Sequence, residues 1–224
     1  MSLGLEANFD LGMRVNVDAT RIVLEALRKT CSGVVDDSVI PTPQSSYGAE
    51  KIVCETLFNE YTRRGFVNGF VLRFPTISVR PGKPTAAASS FLSGMTRESL
   101  AGKECVVPIE DRSFKSWVCS SQTLVHNLLH TLSLPRDALP SHIRQINVPG
   151  ICVTVQEMID SLEKVGGKDK LGFIQEKGDA ELKAILLSWP TRFDNSQAFT
   201  LGFKPDELFE QAVRDYYETE VVQQ

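Results

Sequence analysis

The chain has 224 residues, of which 42% are hydrophobic, 23% charged and 8% aromatic. This composition is typical of a globular protein and excludes collagen-like and disordered chains. With 24 basic and 28 acidic residues the formal net charge is −4. Phosphate neutralisation needs a surplus of basic residues, so the charge does not favour a nucleic-acid partner. A chain of this length can bury a sizeable core.

Five cysteines are widely spaced and form no CxxC pair: Cys31, Cys54, Cys105, Cys119 and Cys152. This spacing excludes a zinc ribbon and predicts free, mostly buried thiols in a reducing compartment. The N-terminus does not have the pattern of a signal peptide, and no apolar run approaches the ~20 residues that cross a bilayer. We therefore expect a cytoplasmic protein with no membrane partner.

The first half of the chain predicts two helices and a strand. Helical spacing of apolar residues covers residues 12–28, and loop composition follows at 31–46. A second helix is expected from Ser45 or Ser46 to about Arg64, ended by Gly65. The β-rich run at residues 70–81 predicts a buried strand, and a helix followed by such a strand indicates a parallel sheet. The apolar stripe of the second helix is formed by Ala49, Val53, Leu57 and Tyr61.

The second half predicts further short elements. Residues 87–101 and about 120–132 are expected to be helical, and residues 105–109 and 145–148 are expected to be strands. Thr154 and Glu157 form a capping box that opens a helix to about Val165, and a last helix begins after Pro205.

The residues that carry chemistry are Tyr47 and Lys51, which are four apart on the second helix and therefore lie on the same face. A phenol is a poor acid–base group at neutral pH, but an ammonium group fixed beside it favours the phenolate. Taken alone, the Tyr-x-x-x-Lys pattern is common by chance and is also compatible with a surface pair. His126 and His130 share a helix face, but no third ligand accompanies them, so we expect no metal site.

The wider sequence resembles the extended short-chain dehydrogenase/reductase family, in the branch of nucleoside-diphosphate-sugar epimerases and D-erythronate dehydrogenase-like enzymes. The resemblance covers residues 5–220 in the order of the family. The matching segments are Arg14–Thr20, Pro43–Lys51, Leu72–Pro84, Ser89–Gly94 with Arg97, and Leu201–Asp206.

The resemblance implies an NAD- or NADP-dependent oxidoreductase or epimerase that acts on a hydroxyl group of a sugar, sugar acid or nucleotide-sugar. Tyr47 resembles the catalytic acid/base, and Lys51 its catalytic and cofactor-binding partner. The segment Pro75, Thr76 and Ile77 resembles the cofactor-binding segment that lines the nicotinamide. Arg97 is a candidate for binding a substrate carboxylate, since a guanidinium group pairs with one bidentately; a plain surface salt bridge is the alternative.

The resemblance also implies the architecture. We expect an α/β fold in which residues 1–82 form a partial Rossmann-type NAD(P)-binding domain. Residues 83–224 are expected to form mainly a smaller C-terminal α/β substrate lobe, with some segments returning to the first domain. The helices at 11–28 and 46–64 are expected to pair with those of a second copy, because both carry surplus apolar residues: Val15, Val23, Ile52 and Phe58.

Two features of the family are expected to be missing from this sequence. No G-x-G-x-x-G or G-x-x-G-x-x-G motif, which would place the cofactor pyrophosphate on a helix N-terminus, occurs in the 224 residues. The usual catalytic serine can be assigned to no residue. These gaps predict weak NAD(P) binding and leave an alternative open, namely a truncated, inactive remnant that keeps only the dimerisation helices.

Overall fold

The computed structural model describes residues 34–43, 46–85, 87–139 and 141–222 of the chain. The helix predicted at residues 12–28 and the thiol of Cys31 lie outside these ranges. Within them the chain forms a mixed α/β fold of short strands and flanking helices, as the sequence predicts.

The helices of the described residues follow the predicted pattern. They are α1 (Ser46–Arg63), α2 (Ser90–Leu100), α3 (Ser121–Ser133), α4 (Val155–Gly166), α5 (Ala180–Leu187), α6 (Ser196–Thr200) and α7 (Phe209–Tyr216), with a 3-10 helix at Lys168–Phe173 and a π-helical turn at Tyr217–Val221. The capping box is confirmed, because the Thr154 hydroxyl accepts from the Glu157 amide and the Glu157 carboxylate accepts from the Thr154 amide. Helices α5 and α6 are not predicted by the sequence analysis.

The strands form three small sheets. They are β1 (Val71–Arg73), β2 (Thr76–Ile77), β3 (Cys105–Val107), β4 (Lys115–Cys119), β5 (Gln145–Asn147), β6 (Ile151–Thr154) and β7 (Ile174–Glu176). β1 pairs with β5 and β3 with β7, both in parallel, which confirms the predicted parallel pairing. The third sheet has the order β2–β4–β6, parallel between β2 and β4 and antiparallel between β4 and β6.

The prediction of one buried strand at residues 70–81 is wrong. The run forms β1 and β2, which belong to different sheets and are only partly buried. Pro75 lies between them and has no N–H to donate to a continuous ladder. The run ends in a turn at Gly82, which has a φ of +99°.

Strands from the second half pair with strands of the first half. β5 lies beside β1, and β4 lies beside β2. Such pairs are compatible with the predicted return of C-terminal segments to the first domain, and that return stays a prediction. The division of the chain at residue 82 stays a prediction.

The main core lies in the second half of the chain, between α2, α4, α7 and the sheets. Its fully buried side chains include Leu92, Met95, Val107, Ile109, Val118, Met158 and Val213. Helix α4 shows why: apolar residues recur on one face, and Val155, Met158, Ile159 and Leu162 are buried there. A smaller cluster forms around Ile146, Val148, Ala198 and Phe203, packed against Phe70 and Leu72.

Helix α1 differs from the other long helices, because none of its residues is buried. Its predicted apolar stripe faces outward: Val53 is 59% exposed, Leu57 55% and Tyr61 51%. Ile52 and Phe58, which the sequence analysis counts as surplus, are the half-buried residues instead. The stripe therefore does not belong to the core that the described residues form. None of the described helices is long and apolar enough to cross a membrane.

Candidate active site

Tyr47 and Lys51 lie together on the first turns of α1. The Lys51 Nζ atom is 5.2 Å from the centroid of the Tyr47 ring, as expected for residues four apart on a helix. The Tyr47 side chain is 69% exposed. A ligand can therefore reach the phenol and the ammonium group at the same time.

Two contacts fix α1 against the chain that leads into β1. The Arg73 guanidinium donates to both carboxylate oxygens of Glu55, at 3.0 and 2.6 Å. The Phe58 ring lies so close to Gly69 that a Cβ atom there would be 2.9 Å from it. Phe58 follows Glu55 in α1, whereas its partner Gly69 precedes Arg73. Helix α1 and the segment 69–73 are therefore antiparallel.

This antiparallel arrangement brings Tyr47 and Thr76 toward the same end of the unit. Tyr47 precedes Glu55 by eight residues, which is about 12 Å along a helix at about 1.5 Å per residue. Thr76 follows Arg73 by three residues, which is about 10 Å along an extended chain at about 3.3 Å per residue. Tyr47 and Thr76 therefore lie on the same side of the Glu55–Arg73 ion pair.

The segment that contains Pro75 and Thr76 is held by close backbone packing. Thr76 pairs with Val118 and Ile77 with Cys119, and the Ser78 amide donates to the Cys119 carbonyl. Gly150 packs closely against this segment, because a Cβ atom there would lie 2.6 Å from the Val118 carbonyl oxygen and 3.0 Å from Pro75 Cγ. A side chain at position 150 would therefore push the segment out of place.

Arg97 lies inside the protein and is only 7% exposed, so the alternative of a plain surface salt bridge is wrong. Its Nε donates to Glu98 at 2.7 Å and its Nη1 donates to the Arg80 carbonyl at 3.0 Å. Nη2 has no partner in the described part of the chain, and no solvent reaches it. The role of Arg97 in binding a carboxylate stays a prediction, and it would require a neighbouring group to move so that Nη2 becomes accessible.

Two cavities lie near the sheets. The larger, of about 450 Å³, borders the carboxyl ends of β3 and β7 and includes Lys177 in its wall; none of the predicted site residues lines it. The smaller, of about 150 Å³, borders Pro75 and Thr76 and is lined by Lys115, Trp117 and Trp189. We call it the tryptophan cavity. Sequence reasoning missed it, because its walls come from three segments far apart in the chain.

The histidines and cysteines add no further site among the described residues. The Nε2 atom of His130 is hydrogen-bonded to the Leu201 carbonyl at 2.7 Å, and no group of metal-ligating side chains is found in that part of the chain. Cys54 and Cys152 are free and exposed, while Cys105 and Cys119 are free and buried. Burial raises the pKa of the Cys105 thiol to about 11, which keeps it protonated and unreactive.

Known proteins with similar sequences decide the family. The chain is 41% identical to a D-erythronate dehydrogenase from Haemophilus influenzae, over 95% of this chain and 73% of that protein. It is 40% identical to a D-erythronate dehydrogenase from Cupriavidus necator, over 95% of this chain and 71% of that protein. The chain belongs to the extended short-chain dehydrogenase/reductase family. No family model matches it.

Solved structures agree with this membership. A nucleoside-diphosphate-sugar epimerase from Agrobacterium tumefaciens superposes with a TM-score of 0.78 at 32% identity, over 100% of this chain and 71% of that one. An L-threonine 3-dehydrogenase from Trypanosoma brucei superposes with a TM-score of 0.73 at 23% identity, over 99% of this chain and 73% of that one. At that lower identity the likeness shows the fold alone, which is the Rossmann-type fold of short-chain dehydrogenases/reductases.

The described residues fit one end of the NAD(P) that this family uses. Lys51 has an exposed ammonium group, and Pro75–Ile77 form a short, partly buried segment; the roles of these residues toward the nicotinamide and its ribose stay predictions. A pyrophosphate cradle needs backbone N–H groups of a glycine-rich turn that opens a helix. In the described ranges the glycines with positive φ are at positions 65, 82, 102, 167 and 202, and none directly precedes an α-helix. The described residues therefore do not supply that cradle.

Proposed function

We propose that this protein is an NAD(P)-dependent oxidoreductase or epimerase that acts on a hydroxyl group of a sugar acid, with Tyr47 as the acid/base. The observation that carries the proposal is the Tyr47–Lys51 pair, accessible and in contact, on a chain 41% identical to a D-erythronate dehydrogenase. The resemblance supports the same roles for these two residues.

In this proposal the chain's own residues handle the proton. The ionised Tyr47 oxygen takes the proton of the substrate hydroxyl group and becomes a neutral phenol, and the Lys51 ammonium stabilises the ionised form of Tyr47 before that transfer. Lys51 also holds the ribose, while Pro75, Thr76 and Ile77 line the nicotinamide. When bound, the nicotinamide supplies an acceptor for the hydride that leaves the substrate carbon.

The test compares two tyrosines of the same helix. With NAD or NADP at millimolar concentration and D-erythronate as substrate, the reduced nicotinamide is followed by its absorbance. Tyr47→Phe is expected to lower kcat by about 10²–10⁴-fold, the usual contribution of a general acid–base group. Tyr61→Phe, on the same exposed helix, is the matched control and should keep kcat. Equal activity of both variants would contradict the role of Tyr47.

A second candidate function is association without catalysis, favoured by the exposed apolar stripe of α1. We infer that Val53, Leu57 and Tyr61 pack against the same helix of a second copy, since exposed apolar residues in a row mark an interaction surface. Sedimentation at micromolar concentration should show a dimer, and Leu57→Asp should give a monomer. A dimer that shows no turnover at saturating cofactor would favour association alone over the enzyme.

The location and the remaining partners are also proposals. The four described cysteines are free thiols, which is what a reducing compartment such as the cytoplasm maintains. The small-molecule substrate is the partner that the proposed activity requires. The exclusion of nucleic acid and membrane rests on the charge and the hydropathy of the sequence alone.

A further inference from the structure

The tryptophan cavity adjoins the proposed nicotinamide wall. It borders Pro75 and Thr76 on one side and the strand β4 on the other. Its volume of about 150 Å³ has room for about five water molecules at about 30 Å³ each, enough for a short polyhydroxy acid. Phe74 and Pro75, which directly follow β1, line it, and ligands of α/β proteins commonly bind outside the carboxyl ends of strands.

Five of the twelve residues that line the cavity are aromatic. The rings of Trp117 and Phe193 stack with their centroids 5.1 Å apart, and Trp189 lines the cavity while remaining 39% exposed. Flat aromatic faces bury the C–H groups of a ligand, and they leave its polar groups to be recognised by a few placed side chains.

Lys115 is the cation in this wall. It lies two residues before Trp117 on β4, so both side chains project from the same face of the strand. Lys115 pairs with Thr154 across the sheet, and the acidic group close to it is Glu157, which is hydrogen-bonded to Thr154. The Oε2 atom of Glu157 accepts from the Thr154 amide and hydroxyl. Among the described residues, Lys115 forms no ion pair of its own.

We propose that the tryptophan cavity holds the sugar acid and that the Lys115 ammonium binds its carboxylate. Lys115 is then a specificity-determining residue, which selects acids over the corresponding neutral polyols. This inference rests on the oxidoreductase function proposed above. It moves carboxylate recognition from Arg97, whose free Nη2 is sealed from solvent, to a side chain that lines an open cavity.

Tryptophan fluorescence tests the inference without turnover, because the chain has two tryptophans and both line this cavity. The probes are D-erythronate and erythritol, which has the same carbon chain without the carboxylate. We expect a saturable fluorescence change with D-erythronate, and a dissociation constant raised about tenfold or more in Lys115→Met. Lys115→Arg should restore most of the affinity, and erythritol should bind weakly and equally to wild type and Lys115→Met.

The control variant is Lys177→Met, which removes the ammonium group of the larger cavity and should leave D-erythronate binding unchanged. The inference is overturned if D-erythronate causes no saturable change, if Lys115→Met binds it as tightly as wild type, or if Lys177→Met loses the affinity instead. Failure of the proposed oxidoreductase function would give a different pattern of results. Lys115-dependent binding without any turnover would overturn the enzyme alone, whereas Tyr47-dependent turnover with an unchanged KM in Lys115→Met would overturn this inference alone.

Discussion

Helices α1 and α4 both carry a row of apolar residues, but α4 is much more strongly amphipathic and the two rows have opposite surroundings. Helix α4 has 12 residues and buries five of them, including Met158 and Leu162. Helix α1 has 18 residues and buries none, although Val53, Leu57 and Tyr61 repeat every four positions. A row of apolar residues therefore predicts that a helix forms, but not whether the described part of the chain covers that row. The second half of the molecule carries its own core, whereas α1 leaves its stripe and its Tyr47–Lys51 pair exposed.

The largest expected effect contrasts one leucine from each helix. Leu162 is fully buried in α4, so Leu162→Ala should lower the free energy of unfolding by about 2–5 kcal/mol through the lost burial and the cavity left behind. Leu57 is 55% exposed, so in dilute monomer Leu57→Ala should change that free energy by no more than about 0.5 kcal/mol. Urea denaturation measures both. Equal losses would show that α1 is a core element after all.

The contact that ties α1 to the fold should have an intermediate effect. The Arg73 and Glu55 side chains are 22% and 13% exposed, and Arg73→Met leaves the Glu55 carboxylate partly buried without its partner. A loss of about 1–3 kcal/mol is expected in denaturation experiments. Arg63→Met, which removes an ion pair with Glu60 at the exposed end of the same helix, is the control and should have a much smaller effect. An unchanged stability for Arg73→Met would mean that other contacts hold α1 in place.

The smallest expected effect separates two helix N-termini of the second half. The Thr154 hydroxyl caps α4 by accepting from the Glu157 amide, so Thr154→Ala should lower stability by about 1 kcal/mol. Ser89 stands at the N-cap position of α2 but makes no side-chain capping bond. Ser89→Ala should therefore leave the thermal midpoint nearly unchanged. A larger loss for Ser89→Ala than for Thr154→Ala would contradict the capping assignment.

Local features of the sequence predicted much of this fold. The helix from Ser46, the stop at Gly65 and the capping box at Thr154 are encoded within a few neighbouring residues, and the structure contains them. The break of the run at residues 70–81 was missed, because it depends on pairing β1 with β5 and β2 with β4, which the run itself does not encode. The burial of Arg97 was missed for the same reason, since its partner Arg80 comes from another element.

The candidate site also has one part that the sequence shows directly and one part that it does not. Tyr47 and Lys51 are close because the helix period places them so, and the sequence shows that directly. The tryptophan cavity brings together residues 74–76, 114–117 and 186–193. No spacing rule connects these segments, so the cavity appears only after the chain has folded.

Hydrogen exchange measured by mass spectrometry at two protein concentrations tests most directly the claim that α1 relies on a second copy for its cover. The account predicts slow exchange of the α4 amides at both concentrations. It predicts faster exchange of the α1 amides in dilute protein, with protection that increases once the concentration passes into the dimer range. Amides of α1 that are as protected as those of α4 in dilute protein, with no dependence on concentration, would contradict it.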